Sequence, residues 1–380
     1  MQSKLPQVGT NIFTTMSNLA KQTHAINLAQ GFPDYDISHQ LAEYVKNALD
    51  KGHNQYAPMI GVESLRLQLA EKIQSLYQKA IDYQSEITIT PGATYTIYCA
   101  LTTILSPLDE VIILEPAYDS YIPNILLNGA IPIPVKLVAP AYSIDWSLVK
   151  KAISPKTKAI IINSPHNPSG YVWSKEDIQE LNRLATQHDF YIISDEVYEH
   201  TTIDQSTHES IIKYPELYQK SYVIFSFGKV FHNTGWKIGY CVAPPHLTEE
   251  FRKIHQFLSF STNTPMQYAL ADFLQDKNEY LSLSSFFQKK RDFFLEQIKD
   301  IPFTIHQKSQ GSFFQLASYE NISNLKDKEF AIWLTKEIGV ATIPVSVFHH
   351  DHQDDKLIRF CFAKKESTFI EARNKMQKLI

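Results

Sequence analysis

Across the middle of the chain, short apolar runs rich in Ile and Val alternate with longer amphipathic stretches, and this alternation limits the possible folds more than any other feature. The runs are Glu86–Thr90, Val111–Leu114, Ile131–Leu137, Ala159–Ile162, Tyr191–Ser194, Tyr222–Phe225 and Ile238–Val242, most of them bounded by Pro, Gly, Asn or Asp. Strands covered by helices on both faces read as continuous apolar runs rather than as alternating ones. The stretches between them have helical period. Ala93–Leu105 follows Pro91-Gly92. Ser174–His188 opens on Ser174 with Asp177 three residues on, a capping box with Asp in place of Glu. The pattern predicts an α/β fold built on a mainly parallel sheet.

The C-terminal part reads differently. Ser284–Lys299 has the pattern of a long amphipathic helix. Phe303–His306, Gly311–Leu316 and Leu357–Phe362 read as strands of a smaller sheet, and Phe330–Ile338 and Thr368–Leu379 as helices. A chain of 380 residues is longer than one core usually organises. The expected division is a large domain over residues 46–284 and a smaller α+β domain assembled from both termini, 1–45 and 285–380.

Bulk charge excludes several roles. The 36 basic and 40 acidic residues give a net charge of -4, which offers no field for nucleic acid or a membrane surface, though a local cationic pocket is still allowed. No run of about 18 apolar residues exists to span a bilayer. The opening Met1-Gln2-Ser3-Lys4-Leu5-Pro6 has no apolar leader core. Cys99, Cys241 and Cys361 are far apart and odd in number, which reads as reduced thiols in a reducing compartment. A cytoplasmic enzyme is expected.

Four motifs stand at strand ends, where open α/β sheets place ligands. Ser226-Phe227-Gly228-Lys229 follows a strand, and His232-Asn233-Thr234-Gly235-Trp236-Lys237 comes next, with Gly235 free to make an unusual turn. A lysine buried near a second cation loses its proton more readily, which covalent amine chemistry needs. Ile193-Ser194-Asp195-Glu196-Val197-Tyr198 ends a strand in an acid pair. A carboxylate there can keep a ring nitrogen protonated. The rival reading, a nucleotide-binding acidic strand, needs a G-x-x-x-x-G-K-[ST] loop that this sequence lacks. Asn163-Ser164-Pro165-His166-Asn167-Pro168-Ser169-Gly170 is a turn that presents the Asn167 amide. Thr90-Pro91-Gly92-Ala93-Thr94 opens a helix whose free N–H groups suit a phosphate, and without a G-x-G-x-x-G fingerprint a dinucleotide is not favoured. Each motif alone is equally a strand cap or a turn.

In this order and spacing, the motifs resemble those of fold-type I pyridoxal-phosphate (PLP) enzymes, specifically the class I/II aminotransferases and, within them, the methionine and kynurenine/glutamine aminotransferase branch. Further matches run along nearly the whole chain: Leu28-Ala29-Gln30-Gly31-Phe32-Pro33-Asp34, Tyr56 with Gly61 and Leu65-Arg66, Glu115-Pro116-Ala117-Tyr118, Gly311-Ser312-Phe313-Phe314 and Ile358-Arg359-Phe360-Cys361-Phe362-Ala363. The resemblance implies pyridoxal 5′-phosphate as cofactor, amino acid and 2-oxo acid as substrates, and a homodimer. Lys229 would hold the cofactor covalently and shuttle the substrate proton. Asp195 would pair with the pyridine nitrogen, Asn167 and Tyr198 would contact the 3′-oxygen, and Tyr118 would stack on the ring. Ala93, Thr94, Ser226 and Lys237 would hold the phosphate, with Tyr56 reaching the phosphate of the neighbouring subunit. Arg359 would clamp the substrate carboxylate bidentately, assisted by Asn167 and the Gly31 N–H. Phe32, Tyr35 and Tyr118 would make the side-chain pocket apolar, favouring methionine, aromatic amino acids or glutamine over aspartate. The chain departs from many members in having Lys237 where arginine is common and Gly228 where serine is.

Other activities fit the same scaffold. A cysteine-conjugate C–S β-lyase would use the same Lys229 and Asp195. A non-catalytic PLP-binding regulator would have no use for a lysine proton shuttle. His349-His350-Asp351-His352-Gln353-Asp354-Asp355 carries metal-ligand residue types without a ligand spacing, so it reads as a solvated loop and no metal centre is expected. His188 and His255 read as ordinary helix residues, and the pairs Phe286-Phe287 and Phe293-Phe294 as core.

Overall fold

The computed structural model describes residues 3–6 and 8–380. Met1 and Gln2, part of the opening stretch read for a leader, lie outside the described residues. All the apolar runs of the middle region are strands of one seven-stranded sheet, in the order Ile87–Thr90, Gly239–Val242, Ser221–Ser226, Tyr191–Asp195, Thr157–Asn163, Glu110–Glu115, Ile131–Lys136. The last five run parallel. Gly239–Val242 is antiparallel to both neighbours, so Ile87–Thr90 beyond it points with the parallel set. Successive side chains enter opposite cores. Ile112, Ile160, Ile162 and Val223 pack on one face, and Val111, Ile113, Ile161 and Ile224 on the other. Burial on both faces explains the lack of polar alternation, and each such side chain contributes about 1.5–3 kcal/mol.

The helix Lys175–Gln187 starts where its cap predicts. Ser174 Oγ accepts from the Asp177 N–H at 3.1 Å and the Asp177 carboxylate accepts from the Ser174 N–H at 3.0 Å, closing the capping box of Lys175–Gln187. A three-stranded antiparallel sheet, ordered Ile343–Pro344, Leu357–Cys361, Phe314–Ser318, carries Arg359 on its central strand. Leu28 ties this sheet to the N-terminal segment, accepting from the Cys361 N–H and donating to Ala341 O.

Several expected elements differ. Phe303–His306 is not a strand. It contributes one isolated bridge, Thr304 to Ser318, because the Gln315 side-chain amide takes up the Gln307 carbonyl where a ladder would continue. The strand expected at Gly311–Leu316 begins at Phe314, since Gly311 bends close against Pro165. The helix read over Phe330–Ile338 starts earlier, at Asp327, and passes into a π-helical turn over Leu334–Ile338 before Gly339. The loop at 349–355 is not wholly solvated. His349 is 3% exposed, and His350 donates its backbone N–H to the buried Glu115 carboxylate at 2.9 Å. No helix among the described residues is long and apolar enough to cross a membrane.

Candidate active site

The parallel strands deliver their last residues to one edge of the large sheet. Asn163 lies opposite Asp195, and Ser226 opposite Gly239, which in turn faces Thr90. The antiparallel strand begins at that edge, so Lys237, two residues before it, arrives beside Thr90-Pro91-Gly92.

The helix Ala93–Ile104 starts there. Its N-cap, Gly92, has φ +85° and no side chain caps the first turn, so free N–H groups point outward. A Cβ on Gly239 would stand 2.5 Å from Phe225 O and 3.1 Å from Ala93 N, so only glycine lets the helix start lie this close to the strand. Lys237 Nζ lies 3.5 Å from where a Gly92 Cβ would be. An ammonium and a helix N-terminus, both positive, face each other across a space that suits an anion. The unusual turn expected at Gly235 falls instead on Lys237, with φ 55°.

Lys229 sits in the short helical turn Phe227–Val230 that follows the strand Ser221–Ser226. Its Nζ donates to Gly31 O at 3.1 Å. Burial pushes the ammonium down to about 8, and the cations Arg359 and Lys237 add to this. Gly228 is required by space, because a Cβ there would stand 2.9 Å from Thr234 Cα.

Asp195 is buried at the end of its strand. One carboxylate oxygen accepts from Tyr121 OH at 2.7 Å, and the other from the Val197 N–H at 3.4 Å. Burial raises the carboxyl to about 6, against the opposing pull of the Tyr121 hydrogen bond and nearby Lys229. Asn163 donates to the Asp195 backbone carbonyl at 2.8 Å and accepts from the Asn167 N–H at 2.8 Å, locking the two strand ends together.

Arg359 approaches from the smaller sheet, 1% exposed. It donates through Nη1 to Asn167 Oδ1 at 2.7 Å and through Nη2 to Ala29 O at 3.2 Å. Its guanidinium carbon lies 3.8 Å from the Phe314 ring centre and 5.1 Å from those of Phe13 and Phe348. The Nε–H is buried without a partner, and burial lowers the guanidinium to about 10.

These groups ring one cavity of about 260 Å³. Every site residue expected from the sequence lines it except Tyr56 and Tyr35; Tyr56 is 83% exposed and packs edge-on against Phe260. The ring of Tyr35, expected near the substrate pocket, packs edge-on against His232 and Phe286 instead. Sequence reading missed Phe13, Gln30, Ile97 and Thr234 as lining residues, and Tyr121 beside Asp195. Asn163 was legible as the residue ending the strand next to Asp195 but was read only as part of a turn.

A lysine near release of its proton, opposite a carboxylate whose charge calls for a cationic partner, is equipment for moving amines. The chain belongs to the aminotransferases of class I and II, whose family profile matches residues 23–373. It is 46% identical over 379 residues to a methionine aminotransferase of Escherichia coli K12, spanning 100% of this chain and 98% of that protein. A crystal structure of an Escherichia coli protein with a methionine aminotransferase function superposes with a TM-score of 0.97, at 46% identity over 100% of this chain and 99% of that one. An N-succinyldiaminopimelate aminotransferase from Mycobacterium tuberculosis follows at TM-score 0.96 and 33% identity, with 100% of each chain covered. Human kynurenine–oxoglutarate transaminase 3 is 33% identical over 403 residues, covering 96% of this chain and 87% of that protein. The fold is the fold-type I aminotransferase fold, and the chain is an amino-acid aminotransferase.

Enzymes of this family depend in general on pyridoxal phosphate, and the residues present fit such a group. The uncapped helix start at Gly92, beside the Lys237 ammonium, is a cradle for a phosphate. The buried Asp195 carboxylate calls for a cationic partner, and the Arg359 Nε–H lacks an acceptor.

Proposed function

We propose that the chain binds pyridoxal 5′-phosphate in this cavity and passes the amine of methionine, an aromatic amino acid or glutamine to a 2-oxo acid in two alternating half-reactions. What carries the reading is the convergence on one cavity of a buried lysine lowered to about 8, a buried carboxylate and a glycine-capped helix start beside a second lysine. Pyridoxal phosphate, when bound, supplies a carbon that takes up the substrate amine and a ring that accepts the electron pair left on the substrate α-carbon.

The remaining tasks fall to side chains. Lys229 would hold the cofactor through its ε-nitrogen and would move the proton at the substrate α-carbon. An amine that titrates near 8 is partly neutral in the physiological range and can take that proton. Asp195 would pair with the ring nitrogen, Asn167 and Tyr198 would bond the 3′-oxygen, and Tyr118 would pack on the ring. Ala93, Thr94, Ser226 and Lys237 hold the phosphate. Arg359 grips the substrate carboxylate with the Gly31 N–H beside it. Asn167 orients the guanidinium, and the Phe314 and Phe13 rings shield it from water.

Two observations support the substrate preference. Phe13, Phe32, Ile97, Val197 and Phe314 give the cavity apolar walls, and its lining cations are Lys229, Lys237 and Arg359, each with a task already. That leaves none for a distal carboxylate. The similarity to a methionine aminotransferase points the same way. The reading includes a homodimer, for which the exposed rings of Tyr56 and Phe260, packed edge-on, and the exposed Phe257 are the support. It includes a cytoplasmic setting, consistent with three free, buried cysteines, and the division into residues 46–284 and the two terminal segments.

The test is a half-reaction screen. Purified protein loaded with pyridoxal phosphate is mixed with single amino acids, and the visible cofactor band is followed as it gives way to the near-ultraviolet band of the pyridoxamine form. Methionine, phenylalanine or glutamine should convert it fastest. A clear preference for aspartate overturns the substrate reading, and a protein that binds no cofactor overturns the whole.

A further inference from the structure

Tyr121 has no role in the site as described so far, yet its contacts join two of the site's parts. It is 3% exposed. Its hydroxyl donates to Asp195 Oδ2 at 2.7 Å, and no other side chain among the described residues donates to that carboxylate. Its ring stands edge-on to Tyr118, 5.7 Å between centres, and its backbone N–H donates to Tyr118 O at 3.1 Å. The ring borders a cavity of only about 10 Å³, also lined by Leu114, Leu137, Ile161 and Trp173.

We propose that Tyr121 is a positioning residue for transamination: its buried hydroxyl fixes the orientation of the Asp195 carboxylate and holds the negative charge on it, and so decides which side of the pair formed by Asp195 and the cofactor ring nitrogen keeps the proton. The inference rests on the functional reading above, in which Asp195 faces that nitrogen. A donor on Oδ2 stabilises the ionised carboxylate and leaves Oδ1 to the ligand. Without it the carboxylate draws the shared proton to itself, and the ring loses the positive charge that draws electrons from the substrate. Of the other groups facing Asp195, Lys229 supports the carboxylate charge and Glu196 opposes it. The phenols of Tyr118 and Tyr198 stay neutral, since burial raises both.

The experiment uses the full chain as wild type, Tyr121→Phe, Asp195→Asn and the double variant. Difference infrared spectra of the protein before cofactor loading, read against Asp195→Asn, follow the carboxyl titration. Its midpoint should rise by about one pH unit in Tyr121→Phe, a tenfold gain in proton affinity. Pyridoxal phosphate affinity, read by quenching of intrinsic fluorescence, should fall about tenfold, as should kcat, while KM for the amino donor changes less than about twofold. In the Asp195→Asn background, Tyr121→Phe should not change cofactor affinity further. An unmoved midpoint, or an equal loss in the Asn background, overturns the inference. A wild-type chain that takes up no pyridoxal phosphate overturns the functional reading and this inference with it. A transaminating wild type beside an unaltered Tyr121→Phe overturns this inference alone.

Discussion

Asp195 and its neighbour Glu196 are both buried carboxylates, but they belong to differently built surroundings. Glu196 accepts from Ser194 Oγ at 2.8 Å, from the Ile211 N–H at 3.0 Å and bonds His208 Nε2 at 2.8 Å. Glu199, one turn on, pairs with buried Lys72 and accepts from Tyr77 OH at 2.6 Å. Lys72 in turn reaches Tyr240 OH at 3.0 Å. The chain itself supplies a counter-charge or donor to each of these carboxylates. Burial raises the Glu199 carboxyl, but Lys72 and His200 beside it prevail and hold it down to about 2. At the cavity the balance is reversed. Asp195 is raised to about 6, Lys229 is lowered to about 8, and an Arg359 N–H is unpaired. Charge satisfied within the chain supports the fold, whereas charge left for a ligand weighs against it until the ligand arrives.

Lys229→Ala tests the contrast most severely. Transamination should fall by about 10⁴-fold, while the unliganded chain resists urea as well as wild type or better, because a buried, partly discharged ammonium has been removed. A large loss of stability would put Lys229 among the structural charges and dissolve the comparison. Glu199→Gln should do the reverse, leaving Lys72 buried without a counter-charge and lowering the unfolding free energy by about 3–5 kcal/mol. Asp195→Asn, measured in the same urea titration without cofactor, should leave stability unchanged or higher.

The two clusters also predict opposite pH dependence. Asp195 is raised from 3.8 to about 6 in the folded chain. Its contribution is therefore complete below the unfolded value and disappears as pH rises through 6, a loss of about 3 kcal/mol. Glu199 is lowered from 4.5 to about 2. Its contribution is present above 4.5 and is lost as pH falls through 2, by a similar amount, about 3 kcal/mol. Urea unfolding of the unliganded chain across the acid range should show both slopes. Asp195→Asn should remove the decline between pH 4 and 6, and Glu199→Gln the loss at the acid end. If both variants flattened the same slope, the two carboxylates would not differ in kind.

The large sheet was legible in the sequence because a strand buried on both faces has no polar alternation to blur it, and each apolar run, from Glu86–Thr90 to Ile238–Val242, became a strand of it. The cavity was legible for a related reason, since the parallel strands all end at one edge and Asn167, Asp195 and Lys229 follow strand ends in the chain. What escaped depended on contacts between distant segments. Phe303–His306 has a strand's composition but no partner to pair with beyond one bridge. His349 looks like a loop residue and is buried because the chain folds back over Glu115. Tyr121 gave no signal, because a tyrosine opening a short helix has no periodicity that points at Asp195. The left-handed turn fell on Lys237 rather than Gly235, so the glycine was not the guide it resembled.

Lys237 offers the smallest test and the most discriminating one. Its ammonium faces the start of Ala93–Ile104, where a positive charge opposes the helix dipole by about 0.3–1 kcal/mol. In Lys237→Gln the unliganded chain should therefore gain about 0.5 kcal/mol in urea, while affinity for pyridoxal phosphate, read by fluorescence quenching, falls about tenfold with the loss of a charged hydrogen bond to the phosphate. Lys237→Arg should keep the charge, add a second parallel donor and raise affinity about threefold. Opposite signs for stability and affinity in one variant are what a cation held for a ligand must give. A Lys237→Gln chain that lost both would behave like one lacking Lys72, and the line drawn between the two clusters would have to move to include it.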